Sequence, residues 1–196
     1  YPVLPDLHRS VARLTAPGGS YCSGAIIAPD VVLTCAHFFA RRGFTGVRVR
    51  IDGSAFSPVD VHLVGGTDIA LVRLPQRVDV AALTLGPTPR LLSRTLTLGF
   101  GGKAESVQER PGVYLGTMPI SWSRKRVTRV RPAGVVYANP PAVKGDSGGP
   151  VLVDGKVIGV QSLILDPRGV NLRIATVALW PAGLADALRR FPSTGR

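Results

Sequence analysis

Short apolar runs alternate with turn residues along almost the whole chain, and where a period is visible it is two rather than helical. Val47–Ile51 reads Val-Arg-Val-Arg-Ile, one apolar face and one basic face. Val11–Leu14, Gly24–Ile27, Val31–Leu33, Ile69–Leu74 and Leu92–Leu98 are predicted as further strands. So are Val151–Val153, Val157–Ile164 and Leu172–Val177. Pro29-Asp30 marks a turn between two of them, and Asp154-Gly155 a hairpin. Val59–Leu63 also alternates in the manner of a strand. Only the C-terminus has a helical stripe: after Pro181 the chain runs to Phe191, with Leu184, Leu188 and Phe191 on one side. A short helical turn is expected at Cys35-Ala36-His37. The pattern predicts an all-β chain of antiparallel sheets closed into barrels or a sandwich, with one terminal helix. The strand pattern breaks near Pro75–Leu92, where Pro87 and Pro89 interrupt it.

Composition supports this picture. The 196 residues are 45% hydrophobic and 18% charged, which suits a folded protein and excludes a disordered one. The 23 Gly and 17 Pro suit many turns between short strands. No apolar run approaches the ~20 residues of a membrane span. The N-terminal Tyr1-Pro2-Val3-Leu4-Pro5 has no basic segment before an apolar core, so it does not read as a signal peptide and suits a mature or trimmed form.

Lys and Arg total 24 against 12 Asp and Glu, a formal charge of +12. The densest basic run is Arg124-Lys125-Arg126, followed by Arg129 and Arg131. Trp122 is the one aromatic residue beside it and no nucleic-acid signature accompanies it, so a solvated loop or strand edge is expected and not a nucleic-acid partner. Cys22 and Cys35 have neither the number nor the spacing of a metal site, and fit either one disulfide or two buried thiols.

Chemistry concentrates in Gly145-Asp146-Ser147-Gly148-Gly149-Pro150. Glycines around a serine allow a sharp turn that exposes its hydroxyl, and the amides of Gly145 and Ser147 are candidates for an oxyanion pocket. A serine hydroxyl is a poor nucleophile at neutral pH, so a histidine base and an orienting acid are expected elsewhere. His8 and His62 lie in stretches that suggest surface or structural roles. His37 follows the apolar strand Val32-Leu33-Thr34 at a turn, which holds a base firmly. Asp68 opens the apolar run Ile69-Ala70-Leu71-Val72, where a carboxylate needs a hydrogen-bond partner such as an imidazole N–H.

Leu-Thr-Cys-Ala-His, Asp-Ile-Ala-Leu and Gly-Asp-Ser-Gly-Gly-Pro occur in the order His, Asp, Ser, and here the chain resembles the trypsin-like (chymotrypsin-fold) serine peptidases. The likeness extends from about Val11 to the terminal helix, and the spacing is similar to the compact bacterial branch. It implies one peptidase domain over residues 1–196. An N-terminal barrel at about 10–85, a C-terminal barrel at about 90–178 and a helix at about 181–191 are expected. The implied architecture is two antiparallel six-stranded β-barrels with the active site in the cleft between them. It further implies His37 as base and then acid, Asp68 as its orienting carboxylate, Ser147 as nucleophile, and the N–H groups of Gly145 and Ser147 as oxyanion donors. No cofactor is implied. The partner is a protein or peptide substrate and the chain a monomer. The expected setting is extracellular, or a cytoplasmic protease domain of a larger protein.

Four departures from the family pattern qualify this. Phe38 follows His37 where the family carries a cysteine that pairs with the position of Cys22, so a Cys22–Cys35 disulfide is left as one of two options. No Ile-Val-Gly-Gly amino terminus is present to pair with Asp146, and Arg94 is the candidate cation in its place. The substrate-binding positions carried over are Pro141, Ala142, Lys144, Ser162, Leu163, Ile164 and Gly169. Pro141 replaces an acidic pocket floor, and Ile164 stands where glycine opens the pocket. A small or medium apolar P1 residue is therefore expected, unless Asp166 reaches the pocket. Arg41, Arg42, Arg48 and Arg50 are expected as a basic rim beyond the scissile bond or as a solvated face. The competing reading is a silent, basic protease-like binding module.

Overall fold

The computed structural model describes residues 6–122, 128–164, 169–180 and 184–191. A short helix α1 (Asp6–Arg9) leads into β1 (Val11–Thr15), β2 (Tyr21–Ala28), β3 (Val31–Thr34), β4 (Arg48–Ile51), β5 (Ser54–Phe56), β6 (Asp60–Leu63) and β7 (Ala70–Arg73). These form one antiparallel seven-stranded sheet in the order β5-β4-β1-β2-β3-β7-β6. Next come β8 (Arg94–Gly99), β9 (Gln108–Met118), β10 (Ser121–Trp122), β11 (Arg129–Val130), β12 (Ala133–Ala138), β13 (Pro150–Val153), β14 (Lys156–Ile164) and β15 (Ile174–Leu179). Six of them close a barrel, β12-β15-β14-β13-β8-β9, while β10 and β11 pair as a separate hairpin. Helix α2 (Leu184–Arg190) follows.

The all-β class and the terminal helix stand as expected. The N-terminal unit differs in detail: it has seven strands and its sheet stays open, a half-barrel beside a closed one. Its two edge strands, β5 and β6, are short, and only residues 57–59 join them. That connection keeps the edges within about 15 Å of each other there. Pro58 within it offers no N–H, and the edges do not pair.

Burial on both sides explains why the central strands read as unbroken apolar runs. Every residue of β3 and β7 is buried. Val32, Ala70 and Val72 face the interior of the first unit with Leu14, Val49 and Ile51. Val31, Leu33 and Leu71 instead pack in a cluster with Leu98, Leu152, Val160 and Ala178 of the second unit. The barrel has its own interior of Tyr114, Val136, Val151, Ile158, Val177 and Leu179. The period of two thus sends alternate residues into a barrel core and into the seam between units. The seam matters most here, because the candidate residues sit along it. Arg73 and Asp30 form a buried ion pair at 3.0 Å, and the Arg73 guanidinium also lies 4.1 Å from the Phe191 ring, fixing the end of the terminal helix. Residues 181–183, where that helix was expected to begin, lie outside the described residues. No described helix is long and apolar enough to cross a membrane.

Candidate active site

Strand register brings His37 and Asp68 together. β3 and β7 run antiparallel with Thr34 opposite Ala70, so continuing the register past the strand ends sets Ala36 against Asp68. Cys35 is still extended, and a single 3-10 turn, Ala36–Phe38, then lifts His37 out of the sheet. Phe38 and Phe39 anchor the turn, both buried, with their rings edge to face at 5.0 Å. Asp68 Oδ1 accepts the His37 backbone N–H at 2.8 Å, and Oδ2 lies 2.7 Å from Nδ1. The Ser162 hydroxyl donates a short bond to the same Oδ2. The carboxylate is 1% exposed and the imidazole 32%, so the acid is enclosed and the base faces the cleft. With Nδ1–H given to the carboxylate, Nε2 carries the lone pair. Burial acts to lower the His37 pKa; the Cys35 sulfur and the Asp68 carboxylate act to raise it, and the net direction is upward.

The serine loop is built by close approach. Gly145 (φ +101°) and Gly148 (φ +82°) adopt backbone conformations that L side chains avoid. A Cβ on Gly145 would stand 2.3 Å from the Tyr21 hydroxyl, and one on Gly148 2.2 Å from the Ser23 carbonyl. The Lys144 carbonyl accepts from Gly102 N–H at 3.0 Å. A trans peptide points its C=O and N–H in opposite directions, so the Gly145 N–H is turned away from Gly102. Among the described residues the N–H groups of Gly145 and Ser147 meet no acceptor. The Ser147 hydroxyl donates to the Ser162 carbonyl at 3.4 Å and not to His37.

Asp146 is fully buried and its carboxylate is satisfied three times. Gly101 N–H donates to Oδ1 at 2.8 Å; Val143 N–H at 2.9 Å and Arg110 Nε at 3.0 Å donate to Oδ2. Its cation is therefore Arg110 on β9, which corrects the expectation of Arg94. Arg94 sits exposed at the start of β8 opposite Val113, whereas Arg110 lies opposite Thr97, nearer the serine loop.

The carried-over substrate-binding positions differ in exposure. Ala142 is buried, Pro141 half-buried and Lys144 exposed, while the Ala142 carbonyl accepts from Asn171 Nδ2 at 2.7 Å. A bulge in β14 between Gln161 and Leu163 leaves Ser162 out of the ladder to β15 and free to reach Asp68. Leu163 and Ile164 are half-buried, and Gly169 is exposed with open space around its Cβ position. Asp166 and the basic run at 124–126 lie outside the described residues. A separate cavity of about 560 Å³ adjoins His37 and Asp68, walled by Leu63, Trp122 and the guanidinium-bearing Arg41, Arg42 and Arg129. Arg48 and Arg50 do not line it, so of the two options the four exposed arginines do not form one rim and fall into two separate clusters.

Of the two options left for the cysteines, the structure has the buried thiols and not the disulfide: Cys22 and Cys35 are both free. Cys22 Sγ sits 3.5 Å from the Thr34 hydroxyl, and Cys35 Sγ 3.7 Å from His37 Nε2. Burial, then its contact with Cys22, push the Cys35 thiol well above its ordinary pKa. The two thiols thus lend no support to an oxidising compartment.

Residues 22–160 match the family model of the trypsin-like peptidase domain. The chain belongs to that family. As a trypsin-like peptidase it is a serine endopeptidase, a hydrolase acting on peptides or proteins. It is 28% identical over 196 residues to Snake venom serine protease 3 of Craspedocephalus gramineus, covering 82% of this chain and 73% of that protein. It is 28% identical over 163 residues to an uncharacterized peptidase of Corynebacterium glutamicum, covering 80% of this chain but 58% of that relative. The solved Rv3671c protease from M. tuberculosis, active form, has the same fold, with a TM-score of 0.80 at 22% identity over 99% of this chain and 86% of that one.

The peptidase also uses residues that sequence reasoning passed over. Ser23 is the chief one. Its N–H donates to the Ser147 carbonyl at 2.8 Å, its hydroxyl donates to the Gly145 carbonyl at 2.7 Å, and the hydroxyl accepts from Phe100 N–H at 2.9 Å. It ties the serine loop to the sheet that carries His37. The available signal was a serine within the otherwise apolar run Cys22–Ala28, and the structure has it fully buried. Arg110 and Asn171 gave no such signal, since each lies in a polar, turn-rich stretch.

Proposed function

We propose that His37, Asp68 and Ser147 form the catalytic triad, and that the N–H groups of Gly145 and Ser147 bind the oxyanion. The observation that carries this is Ser162, whose hydroxyl donates to Asp68 while its carbonyl receives the Ser147 hydroxyl. One bulged residue thus links the acid of the first unit to the nucleophile of the second. For attack, the Ser147 hydroxyl leaves the Ser162 carbonyl and turns to His37 Nε2. Nε2 takes its proton as Oγ bonds to the scissile carbonyl carbon, and the C=O π pair moves onto oxygen, facing the two N–H groups. Collapse of that intermediate breaks the C–N bond, and His37 gives the proton to the leaving amine. Water then gives a proton to His37 as its oxygen bonds to the acyl carbon; the C–Oγ bond breaks, and His37 returns the proton to Ser147 Oγ. Asp68 holds the tautomer and stabilises the imidazolium.

Arg110 satisfies Asp146 within the fold, so the serine loop is proposed to form without insertion of a cleaved amino terminus. The uncharged side chains of Pro141, Ala142 and Ile164 at the carried-over positions support a small or medium apolar P1 residue. A fluorophosphonate probe tests the chemistry. Labelling at Ser147 in the folded protein, abolished in Ser147→Ala, is expected; a folded, unlabelled wild type refutes the triad. A peptide-library cleavage profile tests P1, and a preference for Lys or Arg there rules out the apolar pocket.

A further inference from the structure

The outer face of β1 and β4 sets like charges against each other. Their register puts Arg13 opposite Arg50 and Thr15 opposite Arg48. Leu14, Val49 and Ile51 take the buried face, so the period of two obliges the arginines to share the outer one. Like charges directly opposite in an antiparallel pair are unfavourable. Lys103 joins them from the Gly101–Lys103 turn, and the four cations line a groove of about 880 Å³. Glu105 is its one carboxylate, and among the described residues none of the four cations forms an ion pair.

Two of these side chains are held in place without neutralisation. The Arg13 guanidinium lies 4.3 Å from the Tyr21 ring centre and donates to the Ala104 carbonyl at 2.9 Å. Arg48 donates to the Ser57 hydroxyl at 2.7 Å. Such positioning lowers the entropy lost on binding an anion. Arg48 and Arg50 stand two residues apart on one strand face, roughly 7 Å, which is also the separation of alternate side chains in an extended peptide. Ala55, opposite Arg50, keeps the floor low. The groove shares no lining residue with the cavity at His37. Its wall nonetheless abuts the serine loop: Tyr21 fills the space beside Gly145, and its hydroxyl accepts from Lys103 N–H at 2.7 Å.

We propose that this groove is an exosite for an acidic, extended segment of the protein substrate, outside the residues that flank the cut bond. The proposal rests on the peptidase reading above only for the word substrate; the binding itself is independent of it. The test uses the Ser147→Ala protein and a fluorescent peptide alternating glutamate and alanine, followed by anisotropy. The peptide should bind, and the Arg48→Glu/Arg50→Glu variant should bind at least about tenfold more weakly, as should wild type in about 1 M salt. With Ser147 present, the double variant should cleave a short neutral peptide as before. For a protein carrying an acidic tract its KM should rise about tenfold at unchanged kcat. Equal binding by both proteins overturns the proposal, as does binding of a sulfated oligosaccharide without the peptide. Unchanged fluorophosphonate labelling of the double variant shows that it is folded. If labelling fails in wild type while the peptide still binds, the triad roles fall and the groove stands.

Discussion

Asp68 and Asp146 are both buried, and each is satisfied by three hydrogen bonds, yet their surroundings make them opposites. Asp68 faces an imidazole that is 32% exposed and can gain or lose a proton. Asp146 faces a fixed cation, a guanidinium that is 11% exposed. The first carboxylate belongs to the proposed proton path; the second is a clamp on the loop that carries Ser147. A buried charge thus works in this fold in two ways, separated by whether its partner can change charge and reach the cleft.

Replacing Asp68 with Asn should show the largest effect, because it keeps the shape and disturbs the imidazole tautomer. Steady-state kinetics should show kcat down by about 10⁴, with thermal stability little changed. A loss below tenfold would place Asp68 with Asp146 as a structural group. Arg110→Met should behave in the opposite sense, since it strands a buried carboxylate. Denaturant unfolding should give a loss of about 3–5 kcal/mol, with fluorophosphonate labelling slowed in whatever remains folded. Ser23→Ala removes a buried donor to the Gly145 carbonyl and the acceptor of Phe100 N–H, at a cost of about 1–3 kcal/mol. That cost should appear mainly in kcat, and a purely structural Ser23 would lower stability alone.

The smallest effect is in pH. The base must be neutral to accept a proton, so kcat/KM should rise as His37 deprotonates. The upward direction of its pKa puts that limb above the ordinary imidazole value of 6.5. The Asp68 carboxylate beside Nδ1 is the charge that favours the imidazolium, so a limb at or below 6.5 would show that burial outweighs it.

The first unit was the more legible half. Its central strands are buried on both faces, and burial leaves an uninterrupted apolar run that points to a strand wherever it occurs. β9 and β12 escaped notice for the converse reason. β9 carries Pro111, Gly112 and Gly116 among polar residues, and tertiary pairing to both β8 and β12 overrides that local preference. The same blind spot hid Arg110. From spacing alone Arg94 and Arg110 are equivalent; the register of β8 with β9 decides which arginine faces the serine loop.

The order of His37, Asp68 and Ser147, the glycines that allow the sharp turn at the serine, and the all-β class are properties of the sequence itself, because they depend on local conformation and side-chain chemistry. What lies across the seam was decided only by tertiary structure. Ser162 bonded to both Asp68 and Ser147, Ser23 bonded to the serine loop, free cysteines rather than a disulfide, and two basic clusters rather than one all depend on distances between residues far apart in the chain. Those distances follow from strand register and a single bulge, and a shift of one residue in either would send each side chain to the opposite face.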